Sequence, residues 1–268
     1  MSELVDIEAV ISATRRAGQL VLTMRRDGLR NITSKSTSID LVTEADLASE
    51  AFLREELNKL LPEAGFWGEE SNQQPTEALF WVVDPIDGTV NYANGLSIYA
   101  VTVALYENDQ CLLGVTVEPP AGRIYWTAQG KGAFLREPGG DQRRLHTNGV
   151  DDLSRAFLTT GFPYHRNEVA ENNTAEFSAF IRRCQGVRCL GSAALDLALV
   201  AAGALAGSWE AWLNPWDAAA GVLMIREAGG LVTDYAGNEW TLASQTLVSS
   251  NGNSDLHRAM LATLANAL

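Results

Sequence analysis

Hydrophobic positions along this chain follow two different spacings, and the change between them marks out its organisation. From residue 5 to 25, Val5, Ile7, Val10, Ile11, Leu20, Val21 and Met24 recur at roughly helical intervals, which predicts a first helix. The polar stretch NITSKSTSID follows with turn chemistry. Thr43-Glu44-Ala45-Asp46 then has the form of a capping box. It opens a second helix whose apolar face would hold Leu47, Leu53, Leu57 and Leu60, stopped by Pro62. Between residues 80 and 136 the segments FWVVD, AVTVALY, LLGVTVE and RIYWTA are rich in β-branched and aromatic residues, so they read as strands. Pro119-Pro120-Ala121-Gly122 fits a hairpin connection between the last two.

The second half alternates. A short strand at Ala156–Thr159 precedes a helix over 168–183 and an Ala-rich helix over 192–206. SWEAWL is a predicted strand, and 216–228 a helix ended by Gly229-Gly230. LVTDY and TLVSS are predicted strands before a last helix over 254–267. Trp209, Trp212 and Trp216 are expected in the core. Several elements are apolar on all sides, which requires cover on both faces and implies layered sheets and helices with sites at element ends.

Composition narrows the chemistry. With 268 residues, the chain buries an ample core without staples. Its net charge of −13, from 33 acidic and 20 basic residues, argues against direct nucleic-acid or membrane binding. An acidic protein that handles an anion needs a cation to help. Cys111, Cys184 and Cys189 form no CxxC pair, so buried free thiols and a cytoplasmic setting are expected. No signal peptide or spanning run is visible. Three histidines disfavour a histidine-built zinc site, whereas abundant carboxylates suit a hard cation such as Mg²⁺.

The acids of interest share one kind of position. Glu69 and Glu70 follow Gly65-Phe66-Trp67, Asp84 and Asp87 close the strand Trp81–Val83, and Asp217 opens the helix after Trp216. An isolated strand-end aspartate is commonly a turn residue, but five such acids are harder to explain that way. Two like charges ~4 Å apart cost roughly 4 kcal/mol at an effective dielectric of ~20, so a cluster requires cations or protons. Gly88-Thr89 adds backbone amides at a predicted helix start, which suits a phosphate. An EF-hand reading from Asp84 fails because its twelfth position is Gly95. The spacing of Asp84 and Asp87 also differs from D-x-D-G-T, and neither GxxxxGK[ST] nor GxSxG occurs.

Four blocks, DLVTEAD (40–46), GEES (68–71), DPIDGTVNY (84–92) and WDAAAGVLMIREAGG (216–230), resemble the inositol monophosphatase family in that family's order. GVRCLGSAALDLALVAAG (186–203) is similar to its bacterial members. The resemblance implies an α/β (α+β) fold, a layered α-β-α-β-α sandwich of the sugar-phosphatase type. It would be a single domain, 1–268, with halves at roughly 1–140 and 141–268 and the site between them. It implies two or three Mg²⁺ ions: Glu69, Asp84 and the Ile86 carbonyl for the first, Asp84, Asp87 and Asp217 for the second, and a weaker third near Glu69. Glu69, Thr89 and Asp46 would be catalytic, with Thr89 and Asp46 orienting and deprotonating a metal-activated water. Gly88 and Thr89 amides would hold phosphate, and Gly191, Ser192, Ala193 and Glu210 would face the alcohol. The substrate contacts so implied also include Glu69, Ile86, Asp87 and Asp217. Lys35 matches a mobile basic residue near the metals, and Arg188 an interface or substrate-edge position.

The implied activity is a lithium-sensitive, Mg²⁺-dependent phosphomonoesterase that hydrolyses inositol monophosphate, a cytoplasmic homodimer acting on a small phosphorylated metabolite. The same chemistry on histidinol phosphate, fructose 1,6-bisphosphate, a nucleotide phosphate or NADP stays open. DGTVNYANG is nearer to inositol-phosphatase members than to the DGTKEF of the nucleotide 3′-phosphatase branch. A mainly regulatory role with the transcription machinery also stays open, although the intact acidic set favours catalysis.

Overall fold

Asp6 accepts a hydrogen bond from the Glu8 N–H and opens α1 (Ile7–Asp27), the first element of a computed structural model that describes residues 4–28, 32–34, 41–170 and 172–267. In chain order there follow β1 (Ile32–Ser34), β2 (Leu41–Thr43), α2 (Glu44–Leu60), β3 (Gly65–Gly68), β4 (Leu79–Asp87), α3 (Thr89–Asn94) and β5 (Ala100–Glu107). The next are β6 (Gln110–Glu118), β7 (Arg123–Ala128), β8 (Gly132–Arg136), β9 (Gln142–Arg144) and β10 (Phe157–Thr160). The chain continues through α4 (Thr174–Ile181), β11 (Gly186–Arg188), α5 (Ala193–Ala201) and β12 (Gly207–Ala211). Last come α6 (Pro215–Glu227), β13 (Leu231–Thr233), β14 (Thr246–Ser250) and α7 (Ser254–Ala265).

A seven-stranded sheet runs in the order β3-β4-β5-β6-β7-β8-β9, antiparallel except for the parallel pair β3–β4. A five-stranded sheet has the order β11-β10-β12-β14-β13. Side chains alternate across each sheet, so successive residues enter different cores. Trp81 and Val83 pack with α1 and α2, whereas Phe80 and Val82 pack with Trp216 and Ala220 of α6. In the second sheet, Leu247 joins the core of α5 and α6, and Val248 joins Phe180 of α4 and Met260 of α7. The result is five layers, α1α2, sheet, α5α6, sheet, α4α7, as the resemblance implies. The central α5 and α6 are apolar around most of their circumference because both faces are covered.

Several expectations are corrected. Leu47 is 57% exposed, while Asp46, Ser49 and Glu50 occupy the buried stripe of α2 with Leu53 and Leu57. The helix expected over 168–183 starts only at Thr174, because Asn173 takes a left-handed φ of 68° and spends its amide on the fold. Its Nδ2 donates to Thr160 Oγ1 at 2.8 Å, and its Oδ1 accepts from Trp209 Nε1 at 2.7 Å. The helix over 192–206 ends at Ala201, before Gly203 at φ 75°. In NITSKSTSID, Ile32–Ser34 pairs with Leu41–Thr43, and Lys35 lies outside the described residues. Cys189 is exposed, and Cys111 and Cys184 are only partly buried. Trp209 and Trp216 are core as expected, but Trp212 is 38% exposed. No helix among the described residues is long and apolar enough to cross a membrane.

Candidate active site

Parallel pairing of β3 with β4 brings both carboxyl ends to the same place, with Gly68 opposite Val83. Glu69 donates its N–H to the Val83 carbonyl at 3.1 Å and so emerges beside Asp84. Beyond Asp84 the strand does not end as expected but continues to Asp87 through an irregularity. Asp84 pairs with Thr102 and Asp87 with Ala100, so three steps on β4 oppose two on β5. In a regular strand, residues three apart point to opposite faces; the extra residue of a bulge puts them on one face. Pro85 fits there because it has no N–H to give to a ladder, and its carbonyl instead accepts from Ser49 Oγ at 3.0 Å. The Ile86 N–H closes the bulge onto Asp84 Oδ1 at 3.0 Å.

Asp84, Asp87 and Asp217 each present a carboxylate oxygen within 4.8 Å of the others. Asp217 comes from the first turn of α6, where its Oδ2 accepts the Asn214 N–H at 2.7 Å in a capping box. The Asp87 carboxylate sits on the N-terminus of α5: Ser192 Oγ and the Ala194 N–H (3.0 Å) donate to Oδ2, and the Ala193 N–H (3.1 Å) to Oδ1. The aspartate from another strand thus does the capping that Ser192 itself does not. Helix N-termini carry partial positive charge, which lowers the cost of gathering these acids but does not remove it. Burial, then the charges of Glu69, Asp87 and Asp217, push Asp84 well above the usual carboxylate range. Asp87 is pushed up to about 6, by burial against its donors, and Asp217 well up, by burial and Glu69. A hard divalent cation satisfies such oxygen-rich, mutually repelling groups, so the residues fit one.

A second line of contacts runs behind the acids. Asp46 is fully buried at the start of α2, where Thr43 donates to Oδ2 from N–H (2.8 Å) and Oγ1 (2.6 Å). Thr89 Oγ1 lies 3.1 Å from Asp46 Oδ1 and 2.9 Å from the Ile86 carbonyl. Asp46 is pushed up to about 6, chiefly by burial. Gly88 takes φ +92°, and a Cβ there would stand 2.8 Å from the Gly191 carbonyl, so only glycine fits between the two halves of the site. Glu50, which sequence reasoning missed, accepts the Glu70 N–H at 2.8 Å and so holds the turn that carries Glu69. Its spacing from Asp46 on a helix already known to be amphipathic was the available signal.

Glu69, Asp84, Asp87 and Asp217 line one cavity of about 680 Å³, together with Ile86, Gly88, Thr89, Gly191, Ser192, Ala193 and Glu210. The Ser192 hydroxyl and Ala193 amide, expected to face the alcohol, are turned onto Asp87. Glu210 packs against Gly161, and burial pushes its carboxyl well up. Asp196 also borders the cavity, and Thr159 Oγ1 donates to its Oδ1 at 2.8 Å. A lone acid inside the apolar run SAALDLALV was its trace in the sequence. Arg188 lies on the edge strand β11 with its guanidinium 4.5 Å over the Phe157 ring.

The model of the inositol monophosphatase family matches residues 3–268. An inositol-1-monophosphatase from Synechocystis is 36% identical over 88% of this chain and 82% of its own. A Nus factor SuhB from Pasteurella multocida is 36% identical over 91% of this chain and 90% of its own. The solved inositol monophosphatase of Anabaena superposes with a TM-score of 0.85 at 33% identity, over 97% of this chain and 95% of its own. With the acidic cluster where the motifs place it and the match spanning nearly every residue, the chain belongs to the inositol monophosphatase family and is a phosphatase.

Proposed function

We propose that this phosphatase is a Mg²⁺-dependent phosphomonoesterase that hydrolyses inositol monophosphate to inositol and phosphate, working in the cytoplasm as a homodimer. The convergence of Asp84, Asp87 and Asp217 on one cavity, beside Glu69 and the Thr89–Asp46 pair, carries this reading. The name of the Synechocystis relative supports the choice of substrate. Glu69, Asp84 and the Ile86 carbonyl would hold one ion, Asp84, Asp87 and Asp217 another, and the surroundings of Glu69 a weaker third. When bound, such ions supply charge neutralisation for the phosphate, an acidified water and stabilisation of the departing alkoxide.

The chain's own groups do the positioning. Thr89, its hydroxyl hydrogen directed to Asp46, presents oxygen lone pairs to the attacking water and passes the water's proton toward Asp46. Gly88 and Thr89 turn their amides to the phosphate, while Glu210 on the far wall accepts hydroxyl hydrogens from the alcohol. The acids come from both halves of the chain, so 1–268 acts as one unit.

Phosphate release from inositol 1-phosphate, histidinol phosphate, fructose 1,6-bisphosphate, adenosine 3′,5′-bisphosphate and NADP, with Mg²⁺ and with added Li⁺, tests the reading. Inositol 1-phosphate should lead the panel, and Asp87→Asn should abolish turnover with the fold intact. Full activity of that variant at saturating Mg²⁺ would sink the site. The Pasteurella relative's name favours a second reading, a regulatory role with the transcription machinery. A pull-down that captures those components equally with Asp87→Asn, alongside negligible phosphate release by the parent protein, would favour it.

A further inference from the structure

Asn173 spends every polar atom of its side-chain amide, and none of them on capping the helix that it precedes. The residue is 2% exposed and takes its left-handed φ of 68° as asparagines can. Its Nδ2 donates to Thr160 Oγ1 at 2.8 Å and to the Gly161 carbonyl at 2.5 Å, while its Oδ1 accepts from Trp209 Nε1 at 2.7 Å. The free amide at the start of α4 is met instead by Asn172, whose Oδ1 accepts the Thr174 N–H at 3.1 Å.

The three partners of Asn173 stand together. Thr160 and Trp209 are the last registered pair of the parallel strands β10 and β12. Thr160 Oγ1, held by Asn173, donates in turn to the Trp209 carbonyl at 2.5 Å. That carbonyl belongs to the peptide group that carries Glu210. Trp209 is therefore fixed at its indole and at its backbone, and its ring stacks on Phe180 of α4 with centroids 3.9 Å apart. Gly161 closes the other side of Glu210, since a Cβ on Gly161 would collide with the carboxylate. The Glu210 carboxylate takes no hydrogen bond from the described residues, so its place on the cavity wall is set by what flanks it. Residues 162–166, which follow Gly161, line the same cavity.

We propose that Asn173 is a positioning residue for the alcohol part of the substrate, acting through Gly161 and Trp209 to hold Glu210 where it meets the hydroxyls. This rests on the reading of Glu210 as the acceptor of those hydroxyl hydrogens, and deepens it. An amide suits the place because it offers two donors and an acceptor at once; a carboxylate lacks the donors and an alkyl group lacks both. Without the amide, Glu210 keeps its charge but loses its direction. The metal-binding acids on β4 and α6 are held by other contacts and stay where they are.

The kcat/KM for inositol 1-phosphate, divided by that for 4-nitrophenyl phosphate, isolates the effect, because the second ester offers Glu210 no hydroxyl. Glu210→Ala should lower this ratio most. Asn173→Gly, which suits the left-handed backbone, should lower it about tenfold, the worth of one well-placed hydrogen bond, mainly through KM. The Mg²⁺ concentration for half-maximal activity should not move. Trp209→Phe keeps the stacked ring and removes a single bond; it should lower the ratio about threefold, and it decides the matter if Asn173→Gly does not fold. Adding either change to Glu210→Ala should lower the ratio no further, since the residues act as one unit. A residue that only supports the fold would slow both esters alike and add its loss to that of Glu210→Ala; either result overturns the positioning. If Glu210→Ala lowers the ratio and the other two variants do not, the positioning alone falls. If Glu210→Ala also leaves it unchanged, the reading of Glu210 falls with it, and a parent protein that cleaves neither ester faults the phosphatase reading as a whole.

Discussion

At Asp84-Pro85-Ile86-Asp87 an odd spacing would separate the two acids onto opposite faces, and the extra residue of the bulge reunites them. A residue that no motif announces has comparable reach: Glu50 holds the amides of the turn that presents Glu69, with Oε2 2.8 Å from the Glu70 N–H and 3.4 Å from the Ser71 N–H. Removing its carboxylate in Glu50→Ala should loosen that turn without touching the Asp84, Asp87 and Asp217 cluster. The Mg²⁺ concentration for half-maximal activity should rise roughly 10–100-fold, the usual effect of losing a group that orients a metal ligand. Activity should largely recover at saturating Mg²⁺. A Mg²⁺ titration of phosphate release checks this, and a loss that no Mg²⁺ concentration restores would contradict it. The acids themselves were legible in the sequence because each stands where an apolar strand stops or an apolar helix starts. Glu50 and Asp196 were not, since each sits within a helical pattern whose other positions already account for it.

Helices and strands deliver these residues through close backbone approach. Helix α6 carries Asp217 and lies flat on the seven-stranded sheet, where Gly114 of β6 faces Ala220; a Cβ on Gly114 would come within 2.8 Å of the Ala220 Cα. Neither atom is the end of a flexible side chain, so the helix itself must shift. Gly114→Ala should destabilise by about 1–3 kcal/mol, as overpacking does, and weaken Mg²⁺ binding by moving Asp217 away from Asp84. Thermal unfolding and a Mg²⁺ titration on the same variant test both effects, and a destabilised protein with unaltered Mg²⁺ dependence would detach α6 from the metal site. Element types were readable from periodicity, and the capping box at Thr43 and Asp46 is present as read. The length of α4 was not readable, because Asn173 is withdrawn from it by partners in β10 and β12.

For the whole molecule, the site is a repository of unfavourable charge that a cation or protons must neutralise. Asp46 and Asp87, raised mainly by burial to about 6, hold protons in the native state that the unfolded chain releases. For a carboxyl raised in this way the sign is fixed. Its contribution favours the native state below about pH 6 and is lost as pH rises through that value. Saturating Mg²⁺ should therefore raise the melting temperature most at pH 8, and the gain should shrink steadily toward pH 5.5 as protons compete for the same oxygens. Scanning calorimetry across that range, with and without Mg²⁺, provides the check; a gain independent of pH would mean that the acids are already ionised at pH 5.5, so that Mg²⁺ displaces no protons.

By itself the sequence determined the main helices and strands and their order, though not the short strands β1, β8, β9 and β11, and it marked the acids at element ends, because spacing, caps and strand-end chemistry act over a few neighbouring residues. It also carried the family, through motifs that need only local order to be recognised. Tertiary structure alone decided how these pieces meet. The parallel pairing of β3 with β4 sets Glu69 beside Asp84, the N-terminus of α5 captures Asp87, and Trp212 lines the cavity, partly exposed, instead of joining the core. Each depends on residues far apart in the chain, whose proximity no local pattern encodes.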